Sequence, residues 1–370
     1  MKIAIYHNIP GGGGYRVIAH LSEYLSKNHT VQTFSLDVKG KNNWRGKISK
    51  NKETCYKVKP WNGFFGELAW TMVKLPKIHK KIAEEINKFD FAIISHDYFT
   101  KSPYLLRYVE INNIYLLQEP PREFYENFHL HAPKIKNKIA NIFRYPLKHI
   151  DKKNVESART IIANSKYSKK RILEAYMRKS KVAYPGVDVT KFKPLNRDKK
   201  DQILSIGGLK KLKGHEFVVK ALKPILGKYR LIIIGDGDAT YEEKLRKILK
   251  SKSKYLEIRD HMTENQIINI YNESKVLCIG AYREPFGLTS IEAQATGLPV
   301  VAVSEGGLKE NIYNGHTGFL TERDQDEFKN KTIRAISMNE KLGKNGTKEM
   351  RRKWTWQDFF KKIEKIINEN

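Results

Sequence analysis

The amino-acid sequence predicts an α/β protein with two Rossmann-like domains that face each other across a cleft. Short apolar strands alternate with segments of helical periodicity, as in the units of a parallel sheet. The alternation restarts after a polar, proline-containing stretch at 188–201. The chain has 370 residues, a length at which two domains are usual. In such sheets, ligands bind at the carboxyl ends of the strands.

The first half begins with a strand at 3–6, followed by a helix whose apolar stripe is Val17, Ile18, Leu21 and Leu25. Further apolar runs, separated by polar helical stretches, predict strands that pair in parallel. These runs are 31–36, 91–95, 114–117, 160–163 and 182–184. The first half is therefore predicted to form one open sheet.

The second half repeats this organisation. Its predicted strands are 203–206, 231–234, 255–258, 276–279 and 300–303. Thr263 and Gln266 form a capping-box pattern that opens a helix. Another helix is predicted at 288–295, and the following Gly297-Leu298-Pro299 ends it. A second α/β domain of similar size follows from this pattern.

Composition excludes several classes of protein. Cys55 and Cys278 lie far apart and outside any metal-ligand spacing, which argues against a disulfide scaffold or a structural zinc site. No uncharged stretch reaches the roughly 18 to 20 residues that a membrane-spanning helix needs, and no long apolar signal region follows Met1. We therefore expect a cytoplasmic protein.

The formal net charge is +29, because 69 Lys and Arg residues oppose 40 Asp and Glu residues. Such a charge attracts nucleic acid, anionic lipid and anionic metabolites alike. The basic residues are scattered, without zinc-finger spacing, a basic zipper or an RNA-recognition signature. We therefore expect no nucleic-acid partner.

A glycine cluster, Gly11 to Gly14, lies between the first strand and the first helix. The amides of Gly13 and Gly14 could approach a phosphate there, with the helix N-terminus and Arg16 beside it. A flexible turn would explain one glycine but four in a row less well. The spacing does not match the dinucleotide-binding fingerprint.

The segment 283–293 is predicted to be a strand-to-helix turn that carries two carboxylates, Glu284 and Glu292. On a helix beginning near Phe286, the first amides can bind a phosphate, and Glu292 can accept hydrogen bonds from ribose hydroxyls. Alternatively, Glu284 is a solvated loop residue and Glu292 a helix surface residue.

These residues resemble a known family. Glu284-x7-Glu292, with Pro285-Phe286-Gly287-Leu288 and the run 292–302, is similar to the donor-site signature of family 4 retaining glycosyltransferases of GT-B fold. The resemblance extends to other segments: Gly11 to Tyr15, 164–170, 184–188 and Gly306-Gly307-Leu308. It therefore spans nearly the whole chain.

The resemblance implies a retaining, metal-independent transfer of a hexose from a UDP- or GDP-sugar to an acceptor hydroxyl, without a cofactor. The acceptor we expect is a lipid-linked glycan or another cell-envelope glycoconjugate, which membrane-surface binding by the segment at 60–75 would explain. The implied domains are 1–187 on the acceptor side, 188–353 on the nucleotide-sugar side, and a helix at 354–370 that returns to the first domain.

The resemblance also assigns roles to single residues. It places Glu284 at the transferred sugar, Lys213 at the leaving diphosphate and Glu292 at the ribose hydroxyls. The amides of Phe286, Gly287 and Leu288 would bind the donor diphosphate.

Two positions depart from the family pattern. Gly208 stands where the family has an arginine, so one phosphate-binding cation is missing, and Lys210 or Lys211 either compensates or is a surface charge. Gln118 stands where a subgroup has a histidine near the reacting sugar. Glutamine can hydrogen-bond a sugar hydroxyl but cannot take up a proton near neutral pH.

Two further groups are weaker candidates. His96 also follows a strand, but a lone histidine there is more often structural. Asp236 and Asp238 follow another strand and could suggest a metal. In the family this turn is structural or lines the base pocket, so we expect no metal.

Rival functions remain open. A catalytically decayed GT-B protein could act as a basic polyanion- or nucleic-acid-binding module, which the net charge and the departures at Gly208 and Gln118 favour. Glu284, Glu292 and Lys213 argue against it. A nucleotide-sugar epimerase would need more acid and base residues, and a phosphorylase would need a pyridoxal lysine.

An aromatic segment at 60–75 predicts an amphipathic helix. Its apolar face holds Trp61, Phe64, Phe65, Leu68, Met72 and Leu75, whereas Trp70 falls outside it. Lys77, Lys80 and Lys81 follow. This face either packs on the first domain's sheet or binds an anionic membrane surface, which would make the protein peripheral at the inner face of the cell membrane.

Overall fold

The computed structural model describes residues 1–9, 11–38, 52–126 and 145–369. The chain divides into two compact units. The first comprises Met1–Ala183 together with the residues from Phe360 on, and the second comprises Tyr184–Phe359. The stretch from Trp354 to Phe359, which was expected to leave the second domain, therefore belongs to it.

The first unit contains a fully parallel sheet in the order β3-β2-β1-β4-β5-β6-β7. The strands are β1 (Lys2–Asn8), β2 (Thr30–Val38), β3 (Lys52–Val58), β4 (Phe91–Asp97), β5 (Asn113–Leu116), β6 (Thr160–Ala163) and β7 (Lys181–Val182). The parallel pairing is confirmed, and β3 is an additional strand at one edge. Because β1, β4 and β5 are neighbours, the loops after them lie at one edge of the sheet.

Helices connect these strands. They are α1 (Gly12–Leu25), α2 (Gly63–Val73), α3 (Leu75–Ile86), α4 (Arg122–Tyr125), α5 (Tyr145–Glu156) and α6 (Lys166–Tyr176). The predicted stripe of α1 is confirmed, because Val17, Ile18, Leu21 and Leu25 are all buried. The periodicity of apolar residues thus sets the face that α1 turns to the core.

The second unit contains another fully parallel sheet in the order β10-β9-β8-β11-β12-β13. The strands are β8 (Gln202–Ile206), β9 (Arg230–Ile234), β10 (Leu256–Arg259), β11 (Val276–Ile279), β12 (Val300–Val303) and β13 (Gly318–Thr321). The predicted strands of this half are confirmed, and β13 is an additional edge strand.

The helices of the second unit follow its strands. They are α7 (His215–Leu222), α8 (Ala239–Leu249), α9 (Glu264–Glu273), α10 (Leu288–Ala295), α11 (Leu308–Asn311), α12 (Gln325–Ser337) and α13 (Asn339–Lys353). The capping box at α9 is confirmed, since the side chains and backbones of Thr263 and Gln266 bond reciprocally. The predicted bounds of α10 are confirmed as well.

The last helix, α14 (Trp356–Asn368), begins in the second unit and continues in the first. Within the first unit, the ring of Phe360 stacks on Tyr24 with 4.1 Å between centroids. The Tyr24 hydroxyl donates a hydrogen bond of 3.0 Å to Glu364. The predicted return of the C-terminal helix to the first domain is thereby confirmed.

The aromatic segment at 60–75 forms two helices, α2 and α3, rather than one. Leu75, which was predicted on the apolar face of that helix, begins α3 and is fully buried. Trp70, which was predicted outside the stripe, is buried against Phe99 with 5.0 Å between ring centroids. The core therefore takes the side of α2 that carries Trp70.

The opposite side of α2 remains at the surface. Phe65 and Met72 on this side have exposed fractions of 62% and 38%, and Trp61, just before the helix, has 46%. None of the helices within the described ranges is both long and apolar enough to cross a membrane.

Candidate functional site

In the second unit, the structure brings Lys213 and Glu284 together. Lys213 lies in the loop after β8, and Glu284 lies in the loop after β11, so neighbouring parallel strands deliver both to one edge of the sheet. The Lys213 ammonium donates to a Glu284 carboxylate oxygen at 2.8 Å. Both side chains are partly exposed, so the pair contributes at most about 1 kcal/mol to folding. An anionic ligand could therefore replace Glu284 as the partner of the Lys213 ammonium.

The loop that carries Glu284 is fixed by its backbone. Arg283 adopts a left-handed conformation with φ of 47°, which is unusual for a residue with a side chain. Its amide donates to the Glu305 carboxylate at 3.1 Å. Gly307 donates from its amide to the Glu284 carbonyl at 2.7 Å. A Cβ atom on Gly306 would collide with that same carbonyl. The close approach of the two loop backbones therefore requires glycine at position 306.

The N-terminus of α10 follows directly. Gly287 caps the helix with a φ of 92°, and a Cβ atom there would press into the Leu308 side chain. The Asn311 side chain donates to the Phe286 carbonyl at 2.7 Å. The first amides of a helix carry partial positive charge, and together with Lys213 they form a surface suited to phosphate. The amide of Leu288, the first helical residue, lies at this end.

Phe286 has a second function in the fold. Its ring is buried and lies 5.6 Å from the Trp354 ring and 6.0 Å from the Tyr184 ring. The side chain therefore anchors the loop in the core, and only the backbone of Phe286 is suited to ligand contact.

Glu292 lies within α10 and is buried, with only 6% of its surface exposed. It accepts a hydrogen bond of 3.1 Å from the Tyr271 hydroxyl. The alternative that Glu292 is an ordinary helix surface residue is therefore wrong. Tyr271 lies on α9, the helix that the capping box opens, and nothing in its spacing along the sequence signals its contact with Glu292.

The turn after β8 holds Gly207 and Gly208. The buried His215 ring bonds the Gly207 carbonyl through Nε2 at 2.9 Å and Ser205 through Nδ1 at 3.2 Å. Burial lowers the pKa of His215 to about 4, so the ring is neutral near pH 7. Because a carbonyl only accepts, Nε2 carries the proton and Nδ1 accepts from Ser205. The ring thus fixes the turn.

Two lysine side chains run along this turn. A Cβ atom on Gly207 would lie 3.2 Å from Lys213 Cγ, and one on Gly208 would lie 3.9 Å from Lys210 Cε. Lys210 therefore extends beside the position where the family has its arginine. Lys211 is exposed and begins a short 3-10 helix.

Arg323 braces the site from another part of the chain, and sequence reasoning missed it. Its guanidinium donates to the carbonyls of Gly280 and Ala281 at 2.9 and 3.2 Å. It also pairs with Glu305 at 2.9 Å and lies 3.7 Å from the centre of the Tyr282 ring. No local spacing in the sequence links Arg323 to the loop after β11.

In the first unit, the structure brings Gly14 and Gln118 together. A Cβ atom on Gly14 would lie 2.9 Å from the Gln118 side-chain nitrogen. The glycine cluster was expected to form a loop, but α1 already begins at Gly12, so Gly13 and Gly14 form its first turn. Glycines in this turn let Gln118 approach the helix backbone. Arg16 is half-buried in the same helix.

The weaker candidates have structural contacts. Burial lowers the pKa of His96 to about 4, so its ring is neutral near pH 7. Asp238 caps α8 by accepting from the Thr240 amide at 2.9 Å, and Asp236 accepts from the His261 amide at 3.2 Å. Within the described ranges, no three or more His, Cys, Asp or Glu side chains group as a metal site would require.

Two family models match the chain and together cover most of it. The model of Glycosyltransferase Family 4 matches residues 11–191, and the model of Glycosyl transferases group 1 matches residues 187–353. The border between the two matches lies close to the border between the two structural units.

The chain is also similar in sequence to individual glycosyltransferases. An uncharacterized glycosyltransferase of Methanocaldococcus jannaschii is 27% identical over 64% of this chain and 65% of its own length. A D-inositol 3-phosphate glycosyltransferase of Pseudarthrobacter chlorophenolicus is 29% identical over 45% of each chain. The matches thus span about two thirds or less of these relatives.

A solved structure covers the whole chain. The crystal structure of Anabaena HepE in complex with UDP and glucose matches with a TM-score of 0.78, over 100% of both chains, at 17% identity. A likeness at this identity establishes the fold of both units.

Proposed function

The chain belongs to the group 1 glycosyl transferases of family 4 and has the GT-B fold, and on this premise we propose that it transfers a hexose from a UDP- or GDP-sugar to an acceptor hydroxyl with retention of configuration. The observation that carries the proposal is the juxtaposition of Lys213 with Glu284 in the second unit. The pair combines a phosphate-binding cation with a carboxylate that can hold sugar hydroxyls.

The ion pair supports an exchange of partners when the donor binds. The donor diphosphate takes the Lys213 ammonium, and the released Glu284 carboxylate then accepts hydrogen bonds from the hexose. The helix amides at Gly287 and Leu288 share the charge of the diphosphate. Lys210, beside Gly208, supplies the cation that the family places there as arginine.

Bond cleavage builds negative charge on the leaving diphosphate. Lys213 and the N-terminus of α10 stabilise that charge before it forms, which lowers the barrier to reaction. No metal takes part in this scheme. Glu292, held by Tyr271, fixes the nucleotide by accepting from its ribose hydroxyls.

The acceptor binds in the first unit. Because Gln118 cannot take up a proton near neutral pH, the leaving phosphate itself accepts the proton of the attacking hydroxyl. Gln118, beside Gly14, donates a hydrogen bond to a sugar hydroxyl and so positions it. The acceptor is a glycan, lipid-linked or part of another cell-envelope glycoconjugate.

We propose that the protein acts in the cytoplasm, at the inner face of the cell membrane. Trp61, just before α2, and Phe65 and Met72 on α2 expose apolar side chains at the surface. Lys74, Lys77 and Lys80 are exposed nearby, and each basic residue near an anionic leaflet contributes about 1 kcal/mol of attraction. Aromatic side chains with flanking lysines suit such a surface.

The test of the proposed function is hydrolysis of a panel of nucleotide sugars without an acceptor, because transferases pass sugar slowly to water. We expect release of UDP or GDP from at least one donor. In parallel, UDP or GDP at saturating concentration should raise the melting temperature. Stabilisation by oligonucleotides instead, with no donor hydrolysed, would favour the polyanion-binding alternative.

A further inference from the structure

The first unit has a pocket of about 160 Å³ that no known role accounts for. We call it the ring pocket. Its walls include the rings of Phe64, Tyr98 and Phe124, and its polar groups include Glu67, Lys101 and Glu123. It therefore combines aromatic faces with carboxylates, a lining that suits a ligand with both C–H faces and hydroxyls.

The ring pocket lies where the acceptor is expected. Tyr98 and Lys101 follow β4, and Glu123 and Phe124 belong to α4, which follows β5. Gly14 follows β1 and Gln118 follows β5, and these three strands are neighbours in a parallel sheet. The pocket and the Gly14–Gln118 contact therefore share one edge of that sheet.

The size of the pocket limits its ligand. Pockets for drug-sized molecules measure about 300 to 1,000 Å³. A volume of about 160 Å³ suits a smaller group, such as a single sugar ring.

The charge of the pocket limits its ligand further. Lys101 pairs with Glu123 at 3.1 Å. Burial raises the pKa of Glu123, but the charge of Lys101 and the hydrogen bonds to the carboxylate together bring the pKa below its usual value. The neighbouring His96 is neutral near pH 7. Among the charged side chains that line the pocket, the carboxylates of Glu67 and Glu123 outnumber the ammonium of Lys101, which disfavours a phosphate.

We propose that the ring pocket binds one sugar ring of the acceptor and selects an uncharged ring over a phosphorylated one. This inference rests on the proposed function, since it assigns the acceptor of the same reaction. Hydroxyls of the ring donate to the carboxylates of Glu67 and Glu123, and its C–H face lies on an aromatic wall.

The experiment measures direct binding by saturation-transfer NMR with the full chain. The probes are methyl glycosides of glucose, galactose, mannose and N-acetylglucosamine, together with the 6-phosphates of the same sugars. We expect at least one glycoside to bind. The 6-phosphate of the same sugar should bind at least about tenfold more weakly, because the carboxylates of the pocket repel its negative charge. Phe124→Ala should weaken binding of that glycoside.

Two variants test the charge argument. Glu123→Gln removes a carboxylate and releases Lys101, and Glu67→Gln removes the other carboxylate. Each should reduce the preference against the phosphate by about tenfold. Glu84→Gln, an exposed position on α3, makes the same charge change outside the pocket and should leave the preference unchanged. Circular dichroism checks that every variant is folded.

Donor hydrolysis on the same samples separates the two proposals. Glycoside binding with the expected preference, but no hydrolysis of any donor, would support the pocket and contradict the transferase. Donor hydrolysis with equal or tighter binding of the phosphates would overturn the pocket assignment alone. The same holds if no glycoside binds at millimolar concentration, or if Phe124→Ala leaves binding unchanged.

Discussion

The ammonium of Lys213 lies 2.8 Å from a carboxylate oxygen of Glu284, although 71 positions separate the two residues in the chain. Each side chain holds the other at the edge of the second sheet while remaining partly exposed to solvent. A ligand can separate the cation from the carboxylate at a small cost in free energy, because an ion pair that is exposed to water is weak.

Lys213→Ala and Glu284→Ala should each lower transfer by about 100-fold or more, because each removes one preorganised charge contact. The melting temperature should hardly change, since an exposed pair contributes little to stability. Single-turnover kinetics measure the rate of transfer, and calorimetry measures the melting temperature. Lys220→Ala, an exposed lysine on α7, is the control. Wild-type turnover in either variant would remove the pair from the site.

The product should keep the anomeric configuration of the donor, and activity should survive EDTA. Both follow if the leaving diphosphate is stabilised by Lys213 and helix amides rather than by a metal. Proton NMR of the glycoside product reports the configuration at its anomeric carbon. An inverted product would refute the retaining mechanism, and strict dependence on added metal would refute the assigned electrostatics.

Binding to anionic vesicles should depend on the exposed side of α2. Phe65→Asp combined with Met72→Asp should weaken co-sedimentation with phosphatidylglycerol vesicles at least about tenfold, because burying each side chain is worth about 1.5 to 3 kcal/mol. Leu173→Asp places a charge at another exposed apolar position of the first unit and should have little effect. If wild-type protein fails to bind such vesicles at low salt, the membrane proposal is wrong.

Asp151 should make stability depend on pH in a distinctive direction. The carboxyl is fully buried and accepts from the hydroxyls of Tyr176 at 2.7 Å and Tyr125 at 3.1 Å. Burial raises its pKa to about 6, against about 3.9 in an unfolded chain. The folded state thus favours the protonated form. Its stabilising effect is complete below about pH 4 and is lost as the pH rises through about 6.

Asp151→Asn keeps the shape but cannot ionise. Its free energy of unfolding relative to wild type should therefore increase between about pH 4 and pH 6, by up to about 3 kcal/mol. Urea unfolding at several pH values measures the difference. Asp90→Asn in the same unit is the control, and a difference that does not vary with pH would contradict the assignment.

Phe360→Ala should destabilise the first unit by about 3 to 5 kcal/mol, because it removes a buried ring stacked on Tyr24. Lys361→Ala, at the neighbouring exposed position, should cost little. Chemical unfolding followed by circular dichroism gives both values. An unchanged unfolding midpoint in Phe360→Ala would mean that α14 adds nothing to the first unit.

The sequence predicted the interior strands well because their residues are apolar on both faces. It missed β3 and β13, and both are edge strands. In β3, the exposed residues Glu53, Cys55 and Lys57 alternate with less exposed ones, so no apolar run appears. β13 has four residues and begins with Gly318, where a Cβ atom would collide with the neighbouring strand.

The candidate site could be predicted residue by residue but not as a geometry. The motif around Glu284 indicated a turn before a helix, which local spacing can reveal. The contacts of Lys213 with Glu284 and of Tyr271 with Glu292 join distant segments. The pairing of β8 with β11 brings the first two together, and the second contact joins the helices α9 and α10. Arg323 shows the same limit, because two of its partners are backbone carbonyls, which the amino-acid sequence does not reveal.

The division of the chain also sets the order in which its parts can fold during synthesis. The second unit is an insertion in the first, and its two ends meet where the Val187 amide donates to the Trp354 carbonyl at 2.9 Å. Once Phe359 has left the ribosome, the second unit has its whole sequence, while the first still lacks the part of α14 that begins at Phe360. Ile363 is fully buried in the finished protein. Until Ile363 is made, the surface that it covers stays open to solvent, so the second unit can complete its fold before the first unit does.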